Sequence, residues 1–507
     1  MESEHGLDPT RDRIMSSKRG WRLLGALAFL GGLASTMSFV WACGSRPQNT
    51  FETPEASGTT GPDAEDPPTG DPPIFPDGSN DVRTCESLEC KRVDCGNGNT
   101  TSVSGTVYDP SGTTPLYNVA VYIPNAPLAP IADGIDLTKC VACSAPLSGN
   151  PLTVALTDSH GHFKLDNVPV GSTIPIVLQT GKFRREGLTI PNVVQCQDNP
   201  FADPLHQILR LPKNQKEGHL PLVAITTGGC EGLECVIRAY GFDDAEFTSG
   251  TGTGRFHLYS GLGGGGAVGT TDAYTFWGSN DIYKYDMIVN SCECSPHPRD
   301  SSGPAYTNMQ KYLDHGGRLF TSDFQYNWFT DPQAPTPFKT TANWITNQGA
   351  AKYGAPWFVD TSFPKGKALD DWLQYVFKAN DPPPPGQITL VALLYNVAEV
   401  KAPATRWIYA TADGTSHLND KNYTSYTTKY LSFNTPVSSD ADAGAEQCGR
   451  AVFADLHLSH NVHSSQWPTG CDALAKDQQV TAFEFLFFDI ASCVQNDQAV
   501  PQPPQPN

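Results

Sequence analysis

The chain has 507 residues with 34 Lys plus Arg against 53 Asp plus Glu, a net charge of −19. That balance excludes a nucleic-acid binder, which needs a basic face to displace counterions. Charged residues are only 17% of the chain, while Gly (46) and Pro (42) are abundant. This composition favours strands, turns and long loops over coiled coils or a multi-span membrane protein.

Lys18, Arg19 and Arg22 precede an apolar run, Leu23 to Ala42. A basic start and an uncharged apolar stretch of this length predict an export signal over 1–42. Its end, Val40-Trp41-Ala42-Cys43, resembles a bacterial lipobox. That resemblance implies cleavage before Cys43 and a lipid on the new N-terminus. An uncleaved anchor and ordinary secretion are the alternatives. Residues 43–83 are rich in Pro, Gly, Thr and Asp and lack apolar periodicity, so a disordered tether is expected.

Cysteine usage fits an oxidising compartment. There are 14; with Cys43 lipidated the remainder is odd, so at least one has no intramolecular partner. Cys85, Cys90 and Cys95 mark a Cys-rich segment over 84–101. Cys140 and Cys143 form a C-x-x-C, for which disulfides are the expectation and zinc the alternative.

Residues 102–213 read as a β-sandwich. Val103 to Tyr108, Val119 to Ile123, Leu152 to Thr157, His162 to Leu165 and Ile174 to Leu178 read as strands separated by Gly/Pro turns. Gly105-x-Val107, Pro115-Leu116, Val119-Ala120-Val121, Thr157-Asp158-x-x-Gly161-x-Phe163 and Asn167-Val168-Pro169-x-Gly171 resemble the carboxypeptidase regulatory-like family. The resemblance implies a transthyretin-like, non-catalytic accessory module. His160 and His162 are expected as turn and strand-surface residues, not ligands.

Residues 218–495 read as an α/β domain with a mostly parallel sheet. Leu220 to Thr226, Tyr285 to Asn290, Arg318 to Phe324 and Arg450 to Leu456 are the strand candidates. Leu233 to Tyr240, Tyr306 to His315 and Leu474 to Cys493 are the helix candidates. A β-rich insertion is expected over about 325–449, where Trp328, Trp344, Trp357, Trp372 and Trp407 fall among Pro-rich turns. Burial in a core is the expectation for these rings, and stacking on sugars the alternative. Residues 496–507 are expected as a disordered tail.

The order strand, helix, Tyr285-Asp286-Met287-Ile288-Val289, helix, Gly316-Gly317-Arg318-Leu319-Phe320 resembles the class I glutamine-amidotransferase-like fold. That family places a Cys on an elbow after the strand at Arg318–Thr321. Here the elbow reads Ser322-Asp323-Phe324, with no Cys, so amidotransferase chemistry is not expected.

Three other local patterns carry chemistry. Gly228-Gly229-Cys230-Glu231-Gly232 fits a G-x-C-x-G elbow that would expose a thiolate; a turn with a disulfide or free Cys is the plainer reading. Gly261-x-Gly263-x-x-Gly266 matches a dinucleotide fingerprint by letters, but no helix pattern follows, so a loop and no cofactor are expected. Asp455, His457, His460 and His463 form the most ligand-like cluster, a metal or acid/base site if it converges with Asp323 and solvated loop residues if it does not.

The leading expectation is therefore a membrane-attached envelope protein with a non-catalytic binding or structural role, its ligand a glycan or a protein. The alternative is an envelope hydrolase, metal-assisted or thiol-based. Its candidate residues are Cys230, Asp323, Asp455 and His457, with His460 and His463 as further metal ligands.

Overall fold

Short runs of alternating apolar residues, stopped by turns, build the first part of the chain. They form β1 (Ser102–Thr106), β2 (Ala120–Pro124), β3 (Pro151–Leu156), β4 (His162–Asp166), β5 (Gly171–Thr180), β6 (Phe183–Val193), β7 (Asp198–Pro200) and β8 (Gly218–His219). In β4 the pattern is strict: Phe163 and Leu165 are buried while His162, Lys164 and Asp166 are exposed. The computed structural model describes residues 85–264, 271–346, 356–391, 394–411, 426–438, 446–460, 462 and 467–506. The leader, Cys43 and the tether lie outside the described residues, as does His463.

Two sheets occupy this part, one in the order β4-β1-β7 and one in the order β3-β2-β5-β6-β8. Val103, Val107, Phe163 and Leu165 of the first and Val121, Ile123, Ile176 and Leu178 of the second enter one apolar cluster.

The second part runs β9 (Val223–Thr227), α1 (Leu233–Arg238), β10 (Phe247–Ser249), β11 (Phe256–Ser260), α2 (Ala273–Gly278), β12 (Met287–Asn290), α3 (Ala305–Asp314) and β13 (Arg318–Ser322). It continues through α4 (Asn327–Thr330), α5 (Thr336–Lys339), β14 (Ala342–Trp344), β15 (Trp357–Val359), α6 (Pro364–Val376), β16 (Gln387–Ile388), β17 (Val397–Val400), β18 (Thr405–Thr411) and β19 (Tyr426–Thr435). β20 (Gly449–Ala454) and α7 (Gln478–Ala491) complete it. No helix among the described residues is long and apolar enough to cross a membrane.

One ten-stranded sheet has the order β10-β11-β9-β12-β13-β20-β19-β18-β15-β16. The first six strands pair in parallel and the last four antiparallel. Its central strands β9, β12, β13 and β20 are buried at every position, as a parallel sheet covered on both faces requires.

Two expectations change. The β-rich segment expected as an insertion over about 325–449 joins the sheet itself: β19, β18, β15 and β16 extend its edge, while β14 and β17 pair separately. Hydrogen bonding to β20 supplies a ready edge, and Trp328, Trp357, Trp372 and Trp407 are fully buried. The tail from 496 is not loose. Asp497 is buried against Arg450 at 2.9 Å and Lys365 at 3.2 Å, beside Asp489, which also meets both cations.

The boundary near 214–217 changes the architecture without interrupting the packing, and Asp81–Asn507 is one compact unit. Tyr117 stacks on Phe485 at 5.3 Å, Phe183 meets Phe488 edge-on, and Trp372 Nε1 donates to the Pro115 carbonyl at 2.6 Å. Cys140–Cys448 and Cys143–Cys493 staple the loop between β2 and β3 to the second part, which removes zinc as the role of the C-x-x-C. The other pairs are Cys85–Cys90, Cys95–Cys196, Cys230–Cys294 and Cys235–Cys471. Six disulfides are consistent with an exported protein.

Candidate functional site

Sites of open parallel sheets form beyond the carboxyl ends of the strands, where loops leave in succession. Four neighbouring strands supply one residue each here. Glu231 follows β9, Cys292 follows β12, Asp323 follows β13 and His457 follows β20.

Asp323 sits on the elbow that the sequence placed there. Ser322 is extended (φ −124°), Asp323 turns to φ +49°, and a 3-10 turn starts at once. A non-glycine residue in the left-handed region costs on the order of 1–2 kcal/mol. Such a turn aims its side chain off the strand end, and a carboxylate occupies that place.

The Asp323 carboxylate is the centre of the cluster. Cys292 Sγ donates to its Oδ2 at 2.8 Å, and His457 Nε2 forms an ion pair with the same oxygen. Each of the three residues offers a ligand atom within 4.8 Å of the others. Asp323 and Cys292 are fully buried, whereas the His457 ring is 23% exposed and is the side that meets solvent. Asp323 Oδ1 is buried with no hydrogen-bond partner among the described residues.

Glu231 holds the loops in register. Its carboxylate accepts from the Cys292 amide at 3.1 Å, from the Ser322 hydroxyl and from the Leu458 amide. Gly232 N donates to Ser459 Oγ at 2.9 Å, and Gln479 Nε2 to the His457 carbonyl at 2.6 Å. Supports of this kind fix the orientation of the groups they touch.

Burial raises the pKa of Asp323 and of Glu231 from the ordinary carboxylate range. Burial, then the Asp323 carboxylate, pushes the Cys292 thiol well above its usual value. For His457 burial works downward, and contact with Asp323 outweighs it, so the imidazolium is favoured. The cluster is therefore a protonated thiol and a histidine sharing one buried carboxylate. A Cys–His–Asp relay would place the ring in the middle.

The expected candidates divide. Asp323 and His457 converge. Asp455 does not join them: it accepts from Asn396 N and Nδ2 at 2.8 Å and pairs with Lys429 at 3.0 Å. β20 ends at Ala454, so strand alternation no longer puts Asp455 and His457 on one face. His460 Nε2 lies 2.8 Å from Asp477 Oδ2, the residue that caps α7. Cys230 is bonded to Cys294 and offers no thiolate. The Gly261 loop is followed by α2, a helix of six residues starting at Ala273, too far along the chain for the dinucleotide fingerprint.

Two members of the cluster escaped the sequence reading. Glu231 stands beside the cysteine that was singled out in Gly228–Gly232. Cys292 is the free cysteine among the described residues. Its place directly after the Tyr285–Asn290 strand was the available clue, beside the odd remainder of cysteines that follows if Cys43 is set aside.

No known family matches the chain, and no curated protein matches it. Among solved structures it is similar to a ThuA-like protein from Bacteroides uniformis, with 8% sequence identity and a TM-score of 0.30, covering 52% of this chain and 89% of that one.

Proposed function

We propose that this protein is an exported, envelope-attached metalloprotein whose Cys292, Asp323 and His457 hold a zinc-type ion for hydrolytic chemistry. One observation carries the reading: the free cysteine shares a donor cluster with a histidine and a carboxylate, while the other twelve described cysteines are paired. Zinc accepts thiolate, imidazole and carboxylate together, and three protein ligands leave one position for water. A metal there would lower the pKa of that water and polarise a substrate carbonyl or phosphoryl oxygen. Asp323 Oδ1, which has no partner among the described residues, would be the oxygen to accept a proton there. Glu231 acts as the positioning residue of the Cys292 and Leu458 loops. A lipid on Cys43, a tether and a carboxypeptidase regulatory-like sandwich over 102–213 complete the proposed layout, on an amidotransferase-like α/β body without its nucleophile.

Metal content decides the matter. The chain from residue 44, purified without chelator or a histidine tag, is expected to take up cobalt with a thiolate charge-transfer band. Cys292→Ser and His457→Ala should each remove that band. Retention of the band in Cys292→Ser, or no band in the wild type, overturns the proposal. The burial of Cys292 and Asp323 favours a second reading, a non-catalytic binding protein. A loaded protein inert towards ester, amide, phosphoester and glycoside substrates would support that reading.

A further inference from the structure

A second donor cluster lies on the surface, in the turn between β3 and β4. The sequence there is Asp158-Ser159-His160-Gly161-His162, and Asp158, His160 and His162 each offer a ligand atom within 4.8 Å of the others. Asp158 is preorganised: its Oδ1 accepts from the His160 amide at 2.8 Å and the His162 amide at 2.9 Å. Its Oδ2 stands 3.8 Å from His162 Nδ1. A second carboxylate comes from α6, where Asp371 Oδ2 is 3.2 Å from His160 Nε2 and accepts from the Ser159 hydroxyl. Tyr375, one turn further along α6, stacks on the His160 ring at 4.2 Å.

We infer that Asp158, His160 and His162 form a second divalent-metal site, with Asp371 beside His160 as its supporting carboxylate. Two imidazoles and carboxylates suit zinc, copper or nickel rather than calcium or magnesium. Two carboxylates also balance the charge of a divalent ion. A carboxylate against the second nitrogen of a ligating histidine fixes the ring and raises its basicity. The ion would clasp the β3–β4 turn to α6, joining the two architectural parts at the surface as the disulfides join them elsewhere. This site is independent of Cys292, Asp323 and His457.

The test uses the Cys292→Ser chain, so that the buried cluster does not contribute, titrated with zinc alone. One equivalent of zinc should bind, and His160→Ala or His162→Ala added to that background should abolish uptake. Asp371→Asn should weaken affinity about 10–100-fold. All of these side chains reach solvent, so the variants are expected to fold, and an unchanged circular dichroism spectrum checks it. No zinc uptake by the Cys292→Ser chain, or uptake unaffected by His162→Ala, overturns the inference. Either result leaves the reading of the buried cluster untouched, because that cluster is absent from the background.

Discussion

Gly241→Ala should destabilise the protein far more than Gly187→Ala, although both glycines have positive φ. Gly187, in β6, has φ +75° and nothing within 4 Å of where a Cβ would stand. Alanine there costs only the backbone strain, about 1–2 kcal/mol, less the ~0.4–1 kcal/mol gained from a stiffer unfolded chain. Gly241 has φ +97° and ends the α1 region against the turn after β1. A Cβ would lie 2.3 Å from Ser111 N, 2.4 Å from its Cα and 2.6 Å from its Cβ. Those atoms are backbone or next to it, so the turn itself must move, at roughly 1–3 kcal/mol for overpacking. The Ser111 amide also donates to the Tyr240 carbonyl at 3.0 Å, and displacing the turn risks that bond, worth about 1 kcal/mol. Gly241→Ala is thus expected to lose roughly 3–5 kcal/mol against about 1 kcal/mol for Gly187→Ala. Guanidinium denaturation of the oxidised chain reads both, the disulfides staying closed throughout. Equal midpoints for the two variants would show that the seam between the first and second parts is not packed as described.

Burial raises Glu484 to about 8, and it sits by Lys476 and Asp109. The folded state therefore keeps a proton that the unfolded state releases above about 4.5, so this group's contribution falls as pH rises towards 8 and then levels off. Glu484→Gln should flatten that part of the stability profile; an unchanged slope between pH 5 and 8 refutes the assignment. Ellman titration of the native chain from residue 44 should detect no thiol, because Cys292 is buried, and one thiol after unfolding without reductant. Two or more would break the six-pair assignment. Asp497→Ala leaves Arg450 and Lys365 with Asp489 alone and should cost about 3–5 kcal/mol, as for a buried pair stripped of one partner. A chain ending at 495 should lose a similar amount, and an unshifted melting temperature would mean the tail contributes nothing.

Local pattern was enough for the parallel core. Residues 223–227, 287–289 and 319–321 are unbroken apolar or β-branched runs, and such runs are stable only when covered on both faces. The turn at Asp323 came only through the fold resemblance: the local pattern carried the strand on to Phe324, whereas it ends at Ser322. Helix α6 and strand β19 escaped notice. The first opens with Pro-Lys-Gly-Lys and shows its apolar face only from Leu369 onward. The second, Tyr-Thr-Thr-Lys-Tyr-Leu-Ser-Phe-Asn-Thr, has a lysine at its centre, which is buried because Asp455 pairs with it across the sheet.

By itself the sequence determined the composition class, a cysteine usage consistent with an oxidising compartment, and the run of buried strands. Each of these depends on neighbours in the chain or on simple counts. The tertiary structure decided which cysteine stays free, that His457 rather than Asp455 meets Asp323, and that Glu231 ties their loops together. These depend on the order β9-β12-β13-β20, which brings residues 231, 292, 323 and 457 to one end of one sheet. Strand order arises from packing among segments tens to more than a hundred residues apart, and no local period encodes it.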